Sequence, residues 1–190
     1  MRLGDRAEVT LLLARALRFA AERHAGQKRK GAKGEPHLNH LAEVADLVAR
    51  ATHGRDPELV AAALLHDTVE DTATDHAELV ARFGQDVADL VAEATDDTTL
   101  PKAERKRLQI VHAPSRTPRA KILKIADKIS NLRALARDPP PDWPPERRRD
   151  YVNWAREVVA GLRGGCPELE AEFDVAAADA EMTALAVRAG

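Results

Sequence analysis

Residues 57–65 read PELVAAALL, and a run of this kind has one comfortable place in a folded chain. At about 100° per residue, Leu59, Val60, Ala63 and Leu64 cover one side of a helix, and Ala61, Ala62 and Leu65 cover the rest. A helix that is apolar all round is a buried one, so other elements must wrap it. Asp56 is placed to cap this helix and Pro57 to fill its first turn. His66, Asp67, Glu70 and Asp71 follow at once, and the spacing predicts that the helix runs on to about Asp71. On such a helix the four polar residues fall within an arc of about 140°. Carboxylates out of water repel one another and lose hydration, and a C-terminal end also opposes them through the helix dipole. A divalent cation reverses that penalty. The plainer alternative is an exposed last turn carrying a neutral histidine.

The wrapping elements also read as helices. Leu12, Leu13, Ala16, Leu17 and Ala20 recur at helical spacing, which predicts a first helix over most of residues 6–25. Gly26, Gly31 and Gly34 mark a loop, after which Asn39 is a candidate cap for a helix through Leu41, Val44, Leu47 and Val48. Short helices are expected over DHAELVARFG, stopped by Gly84, and over DVADLVAEA. Pro101 opens another, through Ala113. Thr117 and Pro118 start a long one, with Ile122, Ile125, Ala126, Ile129 and Leu132 on one apolar face. The prolines of DPPPDWPP exclude helix and central strand there. A helix ended by Gly164 and Gly165 and a last one over residues 167–187 complete the chain. No segment alternates with a period of two. The expectation is an all-α fold, one domain over residues 1–190 with roughly eight to ten helices.

Composition narrows the function classes. Charged residues make up 32% and hydrophobic residues 44%, the balance of a globular chain, and the net charge of −2 gives no global attraction to nucleic acid or membrane. Aromatic residues are 3%, too few for the stacking platforms of nucleic-acid binders. The lone Cys166 builds neither an internal disulfide nor a cysteine-rich zinc site. Arg15, Arg18, Glu22 and Arg23 interrupt the first helix, so neither a membrane span nor a secretory leader is expected, and the default is a soluble cytoplasmic protein.

A metal at His66 and Asp67 needs ligands from elsewhere. Asp127, in KIADKISNL, lies off the apolar face of its helix with Asn131 one turn later; the alternative is a solvated partner of Lys124 or Lys128. His40, in PHLNHL, opens an apolar helix, or is simply an exposed first-turn residue. Two histidines and two aspartates make a nitrogen/oxygen site suited to manganese, iron or zinc.

His40, then His66–Asp67, then Asp127 resembles the H…HD…D signature of HD-domain metal-dependent phosphohydrolases. The longer LLHDTVEDT resembles the (p)ppGpp hydrolase module of the RelA/SpoT family, most of all its small stand-alone, metazoan-type members. FAAERHAGQKRK, VAEATDDTTLPKAERKRLQ, KIADKISNLR and RRRDYVNWAREVVAGLRG are similar to further family segments in the same order, over about residues 10–165. One departure stands out. The family often reads PYINHP where this chain reads PHLNHL, so His37 and Leu41 replace a tyrosine and a proline. His37 reads as a loop histidine or a spare ligand.

The resemblance implies a single HD-type bundle with one divalent metal, manganese first and iron or zinc next, on His40, His66, Asp67 and Asp127. It implies hydrolysis of the 3′-diphosphate of ppGpp or pppGpp to GDP or GTP and pyrophosphate, with Glu70 and Asp71 as catalytic acids. Arg29, Lys30 and Tyr151 match substrate positions of the family, with packing beside Trp154 as the rival role for Tyr151; Lys102, from a second basic cluster with Arg105, Lys106 and Arg107, and Asn131, which can hydrogen-bond ribose or phosphate, are further candidate contacts. At 190 residues the family's synthetase module has no room, so the expected protein destroys alarmone and does not make it. Two other functions share these residues: a phosphatase for another nucleotide, such as the 2′-phosphate of NADPH, and an inactive alarmone-binding module.

Overall fold

The computed structural model describes residues 3–186, with side chains from Arg6 onward; Val187, the expected end of the last helix, lies outside the described residues. Among the described residues there are ten α-helices and no strand, only an isolated bridge between Lys28 and Pro36. The all-α expectation holds. The chain divides into two compact units: the described residues up to Gln27 with His37–Asp97, and Lys28–Pro36 with the described residues from Thr98 on.

The first unit is built around the apolar run. It holds α1 (Leu3–Arg23), α2 (His37–Ala51), α3 (Pro57–Leu65), α4 (Thr68–Asp71), α5 (His76–Phe83) and α6 (Gln85–Ala94). Every residue of α3 from Leu59 to Leu65 is buried, and α1, α2 and α6 pack around it. The Asp56 carboxylate accepts the Leu59 N–H at 3.0 Å, with Pro57 in the first turn, as the sequence predicts.

Two expectations fail here for local reasons. Asn39 does not cap α2, which starts two residues earlier at His37. The His37 N–H donates to the Gln27 carbonyl at 2.9 Å, so the entering loop supplies an acceptor that a side-chain cap would otherwise provide. Nor does the third helix run unbroken to Asp71. It stops at Leu65 and resumes at Thr68. His66 Nδ1 donates to the Ala63 carbonyl at 2.8 Å and the Thr68 hydroxyl to the Leu65 carbonyl at 2.6 Å. These side chains occupy carbonyls that the next helical turn would use.

The second unit holds α7 (Lys102–His112), a 3-10 turn (Ala113–Ser115), α8 (Pro118–Arg137), α9 (Pro145–Leu162) and α10 (Pro167–Ala186). Leu123, Ile125, Ile129 and Leu132 of α8 are buried, as are Leu162 of α9 and Phe173 of α10, where the three helices pack. Gly161 permits close contact, because a Cβ there would stand 2.9 Å from that of Ala113. Thr117 caps α8 through the Ala120 N–H. α8 differs from a one-faced helix: Lys124, Asp127, Lys128 and Ser130 are buried too. The loop 28–36 is tied down by the Lys33 N–H, which donates to Asp138 at 3.0 Å. Gly31 lies so close to Asp138 that no side chain fits.

Candidate active site

The break between α3 and α4 sets the orientation of His66. A carbonyl only accepts, so the bond to Ala63 puts the proton on Nδ1 and leaves the Nε2 lone pair facing away from the helix. That Nε2 lies 3.1 Å from Asp67 Oδ1. Two acceptors this close repel unless a proton or a cation lies between them. His40 Nε2, on α2, stands 3.5 Å from Asp67 Oδ2, and the His40 and His66 rings are 5.2 Å apart. Both histidines are buried. One ligand atom from each of His40, His66 and Asp67 falls within a common 4.8 Å. Two imidazoles and a carboxylate so spaced fit a divalent cation, with the Ala63 carbonyl fixing the tautomer of one imidazole. Burial by itself would raise the Asp67 carboxyl. The neighbouring imidazoles of His66, His37 and His40 outweigh it and hold Asp67 well below the usual carboxylate range.

Glu70 and Asp71 sit one turn on, in α4. Burial pushes the Glu70 carboxyl up, and the negative charges of Asp96, Asp67 and Asp71 push it further, against a weak 3.4 Å bond from the Asp96 N–H. Asp71 is exposed, and its carbonyl accepts from Gln27 Nε2 at 3.0 Å. Gln27 Oε1 in turn lies 2.7 Å from His24 Nδ1, at the end of α1. His37 is not a loop histidine. It opens α2 and places Nε2 3.0 Å from Asp67 Oδ2. A row of four imidazoles results, His24, His37, His40 and His66, with ring centroids 4.8, 5.4 and 5.2 Å apart.

Comparison with known proteins places this geometry in a family. The HD-domain profile matches residues 16–163. The chain belongs to the HD-domain family. It is 48% identical over 163 residues to the Xenopus tropicalis guanosine-3′,5′-bis(diphosphate) 3′-pyrophosphohydrolase MESH1, covering 86% of this chain and 91% of that protein. The human MESH1 is 48% identical over 158 residues, covering 83% and 88%. A solved structure of a metazoan ortholog of SpoT, described as hydrolysing ppGpp, superposes with a TM-score of 0.84 at 42% identity, over 87% of this chain and 93% of that one.

The remaining HD-domain candidates lie in the second unit. Asp127 is buried, contrary to the solvated alternative. Lys128 Nζ donates to its Oδ2 at 2.9 Å, and Asn131 Nδ2 to its Oδ1 at 2.6 Å. Asn131 Oδ1 accepts from Arg29 Nη2 at 2.9 Å, so three sequence candidates form one chain of contacts. Tyr151 packs between Trp143 and Trp154, at 5.7 and 5.3 Å, and burial raises its hydroxyl pKa. Lys106 stands over Trp154 at 4.5 Å, and its own pKa is lowered by burial first and then by Lys102 and Lys128. Lys102 is lowered by burial and then by the charges of Lys30, Arg147 and Arg105.

Sequence reading gave no role to His24, Gln27 and Asp96, and took Lys106 and Lys128 for lysines of a solvated helix surface. All five lie inside segments that resemble the family: His24 and Gln27 in FAAERHAGQKRK, Asp96 and Lys106 in VAEATDDTTLPKAERKRLQ, and Lys128 in KIADKISNLR. The burial of Lys106 and Lys128 stayed hidden all the same, since a lysine on a helix reads as solvated until its neighbours are known.

Proposed function

We propose that this protein hydrolyses the 3′-diphosphate of ppGpp and pppGpp, giving GDP or GTP and pyrophosphate. The observation that carries the proposal is the convergence of His40, His66 and Asp67 on one point, with Glu70 beside it. Relatives named for this reaction, alike over most of both chains, support it. Manganese is the proposed metal, with iron and zinc as alternatives, and motif order assigns Asp127 as the fourth ligand. A divalent cation held there supplies Lewis acidity, which makes water a nucleophile at neutral pH.

The side chains do the rest. His66 is fixed in one tautomer by Ala63, so its lone pair is available without reorganisation. Glu70, with its raised pKa, is suited to take a proton from the attacking water and return one to the departing 3′ oxygen. Water oxygen bonds to the near phosphorus, the bond from that phosphorus to the 3′ oxygen breaks, and the proton ends on the nucleotide. Asp71 is the second acid, orienting the water. Arg29, Lys30 and Lys102 are proposed to meet the phosphates. Lys102 is held among like charges, the environment a polyanion relieves. Asn131 and Tyr151 complete the substrate contacts.

Purified protein with Mn²⁺ is expected to release pyrophosphate from ppGpp. Orthophosphate from NADPH with ppGpp untouched would replace this reading by the NADPH phosphatase, and ppGpp binding without turnover under all three metals by the inactive binding module.

A further inference from the structure

α4 has only four residues, and a helix so short is not stable alone. Its last turn leaves carbonyls without a partner inside the helix. One of them, the carbonyl of Asp71, accepts from Gln27 Nε2 at 3.0 Å, a residue 44 positions earlier in the chain. The backbone is extended at Thr72, directly afterwards. The bond from Gln27 therefore fixes the end of the turn that carries Glu70 and Asp71.

Gln27 is itself oriented. A carbonyl only accepts, so Asp71 selects the amide nitrogen of Gln27 and leaves Oε1 facing His24 Nδ1 at 2.7 Å. Oε1 also only accepts, so His24 carries its proton on Nδ1. Burial lowers the His24 pKa, which keeps the ring neutral and the tautomer defined. The other nitrogen, Nε2, is then a bare lone pair. The residue is 3% exposed, and Nε2 has no hydrogen-bond partner among the described residues. A buried acceptor without a donor costs free energy. Local costs of this kind gather at functional sites.

A simple loop tie would not need this side chain. The Gln27 N–H donates to the His24 carbonyl at 3.0 Å, and the Gln27 carbonyl accepts from the His37 N–H at 2.9 Å. These backbone bonds join the end of α1 to the start of α2 whatever side chain stands at position 27. What the amide adds is the reach to Asp71.

We propose that Gln27, oriented by His24, is a positioning residue for the catalytic acids, holding the end of α4 so that Glu70 and Asp71 face the reacting water. The inference rests on the roles given to those two acids in the proposed function.

The test compares wild type with Gln27→Met, which keeps the length of the side chain and loses both amide bonds. Hydrolysis of ppGpp with Mn²⁺ gives kcat and KM, and elemental analysis gives bound manganese. Gln27→Met is expected to lower kcat by about 10–100-fold, the upper figure being the cost of an about 1 Å misplacement, with KM and bound manganese unchanged. His24→Phe keeps a ring and removes the donor, so it should lower kcat in the same sense, and it serves alone should Gln27→Met not fold. The double variant should be no slower than Gln27→Met, because His24 acts only through Gln27. Either single variant at the wild-type kcat overturns the inference and leaves the proposed function standing. Manganese lost together with activity also overturns it, since Gln27 would then support the metal and not the acids. A double variant slowed by the product of the two separate losses removes His24 from the device. Wild type inactive on ppGpp overturns the proposed function, and the inference with it.

Discussion

Asp67→Asn is expected to lose its metal and to turn over substrate more than about a hundredfold more slowly than wild type. Asp67 is the point on which three imidazoles converge, at 3.0, 3.1 and 3.5 Å. Removing a partner that only orients a metal ligand typically costs about 10–100-fold, and Asp67 is proposed as a ligand itself. Asparagine keeps the shape but not the charge, so the variant separates metal binding from folding. Elemental analysis should find the metal absent, while circular dichroism should find the helices retained, since α3 packs against α1, α2 and α6 with a wholly apolar buried run, Leu59 to Leu65. Full metal content with lost activity would move Asp67 out of the ligand set.

Glu70→Gln is expected to give a different signature: turnover down by about 10²–10⁴-fold, the contribution typical of a general acid or base, with metal content unchanged. Loss of the metal would instead make Glu70 a ligand. Its effect on stability has the opposite sign to its effect on rate. The Glu70 carboxyl is raised above its ordinary 4.5 by burial and by three neighbouring carboxylates, so the folded state binds its proton more tightly than the unfolded state. Folding stability then falls as pH rises from the unfolded value through the higher folded one, and stays reduced above it. At pH 8, without metal, the glutamine variant should melt higher than wild type, by about 2–4 °C for each kcal/mol relieved. At pH 4 or below the two should converge, because glutamate is then protonated in both states. A melting curve of each protein at both pH values, after chelation, measures this. Equal melting temperatures at pH 8 would contradict the electrostatic account of Glu70.

Much of this was legible in the residues, and the boundary is physical. The all-round apolar run at 59–65 announced a central helix because burial leaves it no other place, and Asp56 with Pro57 fixed its start. The same reading carried the helix through to Asp71 and missed the break. Periodicity reports which residues share a face, not where side chains take backbone carbonyls, and the bonds from His66 to Ala63 and Thr68 to Leu65 are of that second kind. His40 and Asp127 were singled out as candidates only through motif order, since each alone reads as an ordinary polar residue. His37 was visible only as a departure from the family pattern. Its bond to Asp67 depends on α2 starting at His37, which the sequence assigned to loop. Buried Lys128 stayed hidden because its burial is set by Asp127 on one side and Trp154 on the other.

The central claim is that a divalent cation at His40, His66 and Asp67 makes this chain a hydrolase. Chelation followed by reloading tests it most directly, with ppGpp as substrate and pyrophosphate as the product measured. Stripped protein should release none, and stoichiometric Mn²⁺ should restore the rate. Undiminished release from protein shown by elemental analysis to be free of metal would contradict the claim.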